Sequence, residues 1–418
     1  MTSVPSHTRR GFLGALGMLA GAPTIAAAHE NRARPRLAAT AAAGLHESQA
    51  EYGLAPGLTY LNTASLGPAP RDVLDRTVEA WRQIDSNPVR MAYGGGTVHT
   101  ATDQVRETAA KFLSCGTDDV LITRSTTEAM NTVALGMRLS SGDRVLTTDQ
   151  EHHGGIDCWT YLGRRRGIVV DRVAISHADQ DARTIVDRFA RAITANTRVI
   201  SVSQILSSTG VRMPVAEIAA LSRARGILCV VDGAQAVGQI AVNVKELGCH
   251  AYAACGHKWL MGPKGTGLLY VSPDATEMIA PVQWEGGKRY VGGSTGMGSL
   301  PLVLGLGAAI EKANGRGIAT IERRVLALRE YAIRQLTKTP KITVVNAPSG
   351  PLASGLVALV LPGTINSQGL QTTLLDKHNI MVKLVEKQWF NGIRISAHIF
   401  NTEADIDRAV QALRTELG

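Results

Sequence analysis

From about residue 105 to residue 275, short β-rich runs alternate with stretches that carry apolar residues at helical spacing, and few folds accommodate that rhythm. The runs span 120–123, 145–148, 169–173, 199–202, 228–231 and 268–271, and residues 215–225 illustrate the helical pattern between them. Alternation on this scale predicts an α/β fold with a mostly parallel sheet covered by helices on both faces. Ligands of such sheets gather beyond the carboxyl ends of the strands, and His152, Asp232 and Lys258 fall there in this reading.

Beyond residue 300 the pattern changes. Helical stretches at 302–313 and 318–337 precede strands near 357–360 and 393–396, and a last helix starts at Asn401 or Thr402 and runs through 412. With 418 residues, 44% of them hydrophobic, the chain can bury a large core. The expected division is an N-terminal segment at 45–75 packing with a smaller α+β domain at 301–418, and a large domain at 76–300.

The N-terminus has a separate logic. Thr8-Arg9-Arg10-Gly11-Phe12-Leu13, a short glycine-rich apolar stretch and then Ala26-Ala27-Ala28 read as a twin-arginine signal with a small-residue cleavage site. Residues 1–28 are therefore expected to engage the twin-arginine export machinery, and 29–44, rich in Ala and Arg, to form a flexible linker. The destination is periplasmic or secreted, by a route that carries folded proteins, so a cofactor can be loaded before export. Five cysteines are an odd number and several lie in apolar runs, which suits buried thiols better than a disulfide framework. Of the formal charge of +9, residues 1–28 and 29–44 hold a net two each, leaving +5 scattered without a basic stripe. Nucleic-acid binding is accordingly not expected.

Lys258 lies in Gly256-His257-Lys258-Trp259-Leu260-Met261-Gly262-Pro263-Lys264-Gly265, twenty-six residues after Asp232 in Val230-Val231-Asp232-Gly233-Ala234-Gln235. Alone, each is bland: most lysines are solvated, and most strand-end aspartates are turn or cap residues. Paired, they suit one chemistry. A lysine that forms a Schiff base with pyridoxal phosphate needs a carboxylate across the ring, because a protonated pyridine nitrogen makes that cofactor an electron sink. Ser125-Thr126-Thr127-Glu128 opens an apolar-periodic helix after the run ending at Thr123, predicting a Ser125–Glu128 capping box whose free N–H groups suit a phosphate.

These runs resemble the signature of the class V aminotransferase family, pyridoxal-phosphate-dependent enzymes of fold type I that include cysteine desulfurases, cysteine lyases, kynureninases and isopenicillin N epimerases. The resemblance extends from about residue 55 to the C-terminus. It implies a homodimer with active sites at the interface and no metal. It also implies phosphate contacts from Thr126, Thr127 and His257, stacking of His152 on the pyridine ring, and a hydrogen bond from Gln235 to the phenolic oxygen. Arg394, in Gly392-Ile393-Arg394-Ile395-Ser396, matches the arginine that clamps a substrate α-carboxylate, for which its planar fork is suited. Ser207 stands where desulfurases carry Asn. Trp284-Glu285-Gly286-Gly287 and Gly293-Ser294-Thr295 both lie where the family donates a phosphate contact across the dimer.

The reaction is less constrained. A desulfurase needs a mobile cysteine shortly before the carboxylate-binding arginine, and residues 380–394 contain none. Asn87-Pro88-Val89-Arg90, Lys258-Trp259 and the Arg394 segment resemble the isopenicillin N epimerase branch, whereas Gln235 resembles the desulfurase branch. The expectation is an exported enzyme acting at the Cα of an amino acid or amino-acid-derived substrate, epimerase-like, with C–S lyase, aminotransferase and siderophore-tailoring chemistry as alternatives. A non-catalytic binding protein on a degenerate fold has no need for all of these site residues together.

Overall fold

The computed structural model describes residues 46–88, 97–176, 181–282, 298–345 and 350–418. The expected export signal and linker at 1–44, Val89-Arg90 and the two candidate cross-dimer loops at 284–287 and 293–295 lie outside the described residues. A short strand β1 (Thr59–Tyr60) and a helix Arg71–Ser86 come first, and a second helix, Thr97–Leu113, leads into the larger sheet. That sheet comprises β2 (Val120–Thr123), β3 (Arg144–Thr148), β4 (Val169–Val173), β5 (Thr197–Ser203), β6 (Leu228–Asp232), β7 (Ala251–Cys255) and β8 (Gly267–Val271). Their spatial order is β2-β8-β7-β6-β5-β3-β4; β3 to β7 run parallel, and β8 is antiparallel to both its neighbours.

The strand β7 was not legible as a β-rich run. Its sequence, Ala-Tyr-Ala-Ala-Cys, lacks β-branched residues, yet every position is buried at the centre of the sheet. Small side chains there admit close packing from both sides, so burial overrides local propensity.

Side-chain alternation explains why both faces are covered. Cys229 and Val231 enter one core with helices Arg71–Ser86, Thr97–Leu113, Val215–Arg223 and Leu300–Arg316, whereas Val230, Ala251 and Ala253 enter another with helices Thr126–Gly136 and His153–Arg166. A strand buried on both faces reads as an unbroken apolar run. Among the described residues all five cysteines are free, and only Cys115 is less than fully buried.

The C-terminal part holds β9 (Thr343–Val344), β10 (Leu356–Val360), β11 (Ile380–Met381), β12 (Lys383–Leu384) and β13 (Gly392–Ser396). Four of these form a sheet in the order β12-β13-β10-β9, all antiparallel, and β11 pairs with β1. A third core lies against this sheet and takes in Leu61 from the N-terminal segment. The helix Leu300–Arg316, which sequence pattern had grouped with the C-terminal part, instead sends Leu306, Ala309 and Ile310 into the core of the larger sheet. The next helix, Ile318–Leu336, spans both cores: Ile321 and Val325 pack in the first, Leu328 and Leu336 in the third. The last helix, Glu403–Leu417, is capped by Thr402 with Asp405 in a reciprocal capping box and outruns its expected end by more than a turn.

His398 is completely buried, its ring 5.7 Å from that of Trp259 and 6.2 Å from that of Phe400. Burial, then the charge of Arg316, lowers its pKa from 6.5 to about 3. The unfolded chain therefore takes up a proton below the ordinary histidine range that the native chain refuses. The stability this gives is present above that range and is lost as pH falls toward 3, by at most about 1.4 kcal/mol per pH unit. In thermal unfolding, a His398→Phe variant should lose less of its midpoint between about pH 7 and pH 5 than the parent. An equal loss in both would show that His398 does not titrate on unfolding.

Candidate active site

One edge of the larger sheet, where β3, β5, β6 and β7 end, gathers turns from several strands into a cleft. After β2, Ser125 caps helix Thr126–Gly136, its hydroxyl accepting from Glu128 N at 3.1 Å. The expected return bond is diverted. Glu128 accepts instead from the Arg124 backbone N–H at 2.5 Å and from the Arg124 guanidinium at 2.7 and 3.0 Å, and the two guanidinium bonds, between opposite charges, favour this arrangement over a bond from the Ser125 N–H.

After β3, His152 caps helix His153–Arg166, with Nδ1 accepting Gly154 N–H at 3.0 Å. That bond leaves the ring proton on Nε2. Partial burial, then the charges of Lys258 and Arg394, hold its pKa down at about 4, so the ring is neutral at physiological pH. Its neighbour Glu151 is buried and accepts from Thr148 Oγ1 at 2.7 Å, Ser203 N at 3.1 Å and Ser203 Oγ at 2.5 Å, tying the ends of β3 and β5 together. Burial pushes the Glu151 carboxyl up to about 7, and the charge of Asp232 adds to the effect.

Asp232 ends β6 and is 6% exposed. One oxygen accepts Ala234 N–H at 2.9 Å; the other lies against Gly155, where a Cβ would approach to 2.7 Å. Burial raises its pKa, opposed by Lys258 and by the Ala234 N–H.

The loop after β7 is closed by its own backbone: Gly256 N donates to Thr266 O at 2.8 Å, Gly262 N to Gly256 O at 2.7 Å and Met261 N to Lys258 O at 2.9 Å. Trp259 and Met261 are sunk into the core at 1% and 2% exposure, leaving Lys258 to line the cleft. Gly67 packs so tightly over this loop that a Cβ there would fall 2.0 Å from Lys258 O. Lys264, the other amine in the motif, donates to Gly67 O at 2.9 Å.

The cleft has two connected parts. An inner cavity of about 160 Å³ is lined by Ser125, Thr126, Thr127, Asp232, Cys255 and His257. An outer one of about 190 Å³ is lined by Ser65, Lys383, Glu386, Trp389 and Arg394. His152, Ser207, Gln235 and Lys258 border both. Among the described residues, Thr126, Thr127, His152, Ser207, Asp232, Gln235, His257, Lys258 and Arg394 thus line two adjoining cavities.

The inner cavity fits a phosphorylated pyridine aldehyde. His257 Nδ1 is buried there without a hydrogen-bond partner and Thr126 Oγ1 has at most the weak Cys255 thiol beside it, and unpaired buried polar atoms are rare unless a ligand completes them. The N-termini of helices Thr126–Gly136 and His153–Arg166 converge on it, close enough that a Cβ on Gly154 would sit 2.6 Å from Thr127 Oγ1. Gln235 has its oxygen fixed by Trp259 Nε1 at 2.8 Å and gives one amide hydrogen to Ala64 O at 3.0 Å, so its other hydrogen remains for an acceptor.

Arg394, 5% exposed at the centre of β13, donates to Ser207 O at 2.5 Å and to Ser65 Oγ at 3.3 Å. Its Nε is buried without a partner, and burial lowers its pKa to about 10 against the opposing charge of Glu386. Ser65, Lys383, Glu386 and Trp389 were not identified from sequence. A tryptophan among charged residues just before the arginine, at Trp389, is the local signal in the sequence that marks this stretch.

The sequence model of Aminotransferase class-V matches residues 59–409. Isopenicillin N epimerase from Streptomyces clavuligerus is 29% identical over 393 residues, covering 89% of this chain and 98% of that protein. A probable cysteine desulfurase from Halalkalibacterium halodurans is 29% identical, covering 85% and 92%. Among solved structures, the apo cysteine desulfurase of Thermococcus onnurineus NA1 superposes with a TM-score of 0.79 at 22% identity, over 88% of this chain and 96% of that one. The cystine C–S lyase C-DES with cysteine persulfide gives 0.77 at 23%, over 86% and 98%; at these identities the likeness is one of fold.

Borohydride reduction of the pyridoxal-phosphate-loaded protein, followed by digestion and mass spectrometry, should find the pyridoxyl group on Lys258. Recovery on Lys264 would contradict the geometry of the loop.

Proposed function

The chain belongs to the class-V aminotransferase family of pyridoxal-phosphate-dependent enzymes, and within that family we propose an exported enzyme that moves the Cα proton of an amino acid or amino-acid-derived substrate, in the manner of an isopenicillin N epimerase. The observation that carries the reading is the position of Lys258, bordering both cavities, with Asp232 in the inner and Arg394 in the outer. Pyridoxal phosphate, when bound, supplies an electron sink that acidifies the Cα–H of an attached amino acid.

The chain's own residues do the rest. Arg394, fixed by Ser207 and Ser65, holds the α-carboxylate and so sets which Cα bond is presented. The Lys258 amine takes the Cα proton and returns it or hands it on. Asp232, buried in the lining of the inner cavity, offers a carboxylate suited to a protonated ring nitrogen. The neutral His152 ring forms a wall, its orientation set by the Gly154 bond.

Sulfur transfer is disfavoured by the cysteines. Cys255 is the only one lining either cavity among the described residues; its thiol is buried, its pKa raised by burial, and its Sγ lies 3.7 Å from Ala234 O. A homodimer is supported by an exposed apolar stripe on helix Arg71–Ser86, where Leu74, Val78 and Trp81 recur at helical spacing with 41%, 46% and 49% exposure. Export rests on the Arg9-Arg10 motif, and replacing both residues by lysine should leave a folded, cofactor-loaded precursor in the cytoplasm. Normal periplasmic yield from that variant would overturn the export reading.

Turnover in D₂O separates the chemistries. Inverted product carrying deuterium at Cα is expected. A keto acid with the cofactor left as its amine would identify an aminotransferase, and pyruvate with a released side group a lyase. Consumption of substrate without any Cα exchange would refute the shared deprotonation step. Lys258→Ala should lower turnover by about 10²–10⁴-fold, the range of general acid–base catalysis; a smaller loss would remove Lys258 from that step.

A further inference from the structure

The outer cavity holds a second cation that the chemistry above leaves idle. In the β12–β13 pairing, Lys383 stands directly opposite Arg394. Directly opposed residues of an antiparallel pair project from the same face, and like charges so placed destabilise the sheet. Both side chains line the outer cavity, so an anion in that space would relieve the repulsion.

The protein supplies little of that relief itself. Glu386 is the one carboxylate in the outer lining among the described residues, set against two cations; its nearest ring nitrogens are His153 Nε2 at 3.4 Å and His152 Nε2 at 3.9 Å, and its charge acts on Arg394. Among the described residues no carboxylate forms an ion pair with Lys383. Arg394 is pinned by Ser207 and Ser65 and can present its fork to one carboxylate. Lys383, by contrast, is a partly exposed amine on a flexible stem, suited to a charge at variable distance. Leu384, Val385 and Trp389 give the same cavity an apolar wall, against which methylene groups can lie.

We propose that Lys383 is a specificity residue that binds a side-chain carboxylate, and that the substrates are amino acids bearing a second acidic group, with the α-carboxylate on Arg394 and the distal one on Lys383. This rests on the Cα-directed reading given above.

The test titrates the full-length, cofactor-loaded enzyme with L-glutamate and its neutral isostere L-glutamine, with L-aspartate and L-2-aminoadipate to vary the spacing, while cofactor absorbance reports binding. At least one of the acidic amino acids should bind about tenfold or more tightly than glutamine, the gain expected of one charge-assisted contact. Lys383→Met should lower the glutamate-to-glutamine affinity ratio about tenfold and Lys383→Arg should largely restore it. Equal affinities in the parent, or a Lys383→Met variant that weakens both ligands together so that the ratio holds, would overturn the proposal while leaving the Cα reading intact; the second result would place Lys383 on the α-carboxylate. No spectral response to any amino acid would overturn the Cα reading itself, and this proposal with it.

Discussion

A carboxylate buried at the end of a central strand is the feature on which the rest of the site depends. Removing an ion such as Asp232 from water costs several kcal/mol unless charges and hydrogen bonds return it. Here one backbone N–H and the Lys258 charge return part, and Gly155 gives up its side chain so that the second oxygen can face the cavity. Glu151 lies close enough for the Asp232 charge to add to the burial that pushes its carboxyl up to about 7, while Ser203 and Thr148 hold it in place. Glu151 can therefore hold a proton under mildly acidic conditions, and Asp232 then carries its charge without that repulsion. A cationic ring nitrogen would complete the balance, which ties the cofactor to the electrostatics of the sheet.

The second dependence is mechanical. Parallel strands deliver His152, Asp232 and the Lys258 loop to the same edge, but Arg394 comes from a different sheet. The N-terminal segment joins them. Leu61 O accepts Ser396 N at 2.8 Å, two residues from Arg394, and Gly67 N donates to His257 O at 2.7 Å, next to Lys258. Between these points Ser65 meets Arg394 directly. One short stretch of chain, turning at 63–65, therefore fixes the carboxylate clamp relative to the amine. Changes at Gly67 would be transmitted to both.

What could be read from sequence was whatever depends on local pattern. The strands ending near Ser125, His152 and Asp232 showed as β-branched runs, and the helix starts at Ser125 and Thr402 followed from capping residues, whereas His152 as a cap did not. The strand β7 did not, because its alanines owe their place to close packing in the sheet centre and carry no β signature. The half-formed cap at Ser125 was equally hidden, since the competing Arg124–Glu128 pair depends on a side chain folding back. Lys383 is the clearest case. As a lone lysine it reads as surface charge, and only the register of β12 on β13, a long-range pairing, sets it beside Arg394. Residues defined by spacing along one element were legible, whereas those defined by contact between elements were not.

The most direct measurement of the central claim is ¹⁵N NMR of the enzyme reconstituted with pyridoxal phosphate labelled at the ring nitrogen. If Asp232 faces that nitrogen from a buried position, the parent should show a protonated ring nitrogen at a pH where the free cofactor has lost that proton. Asp232→Asn should show it deprotonated while Lys258 remains attached. A nitrogen that titrates in the enzyme as it does free in water, or one unchanged by Asp232→Asn, would contradict the account.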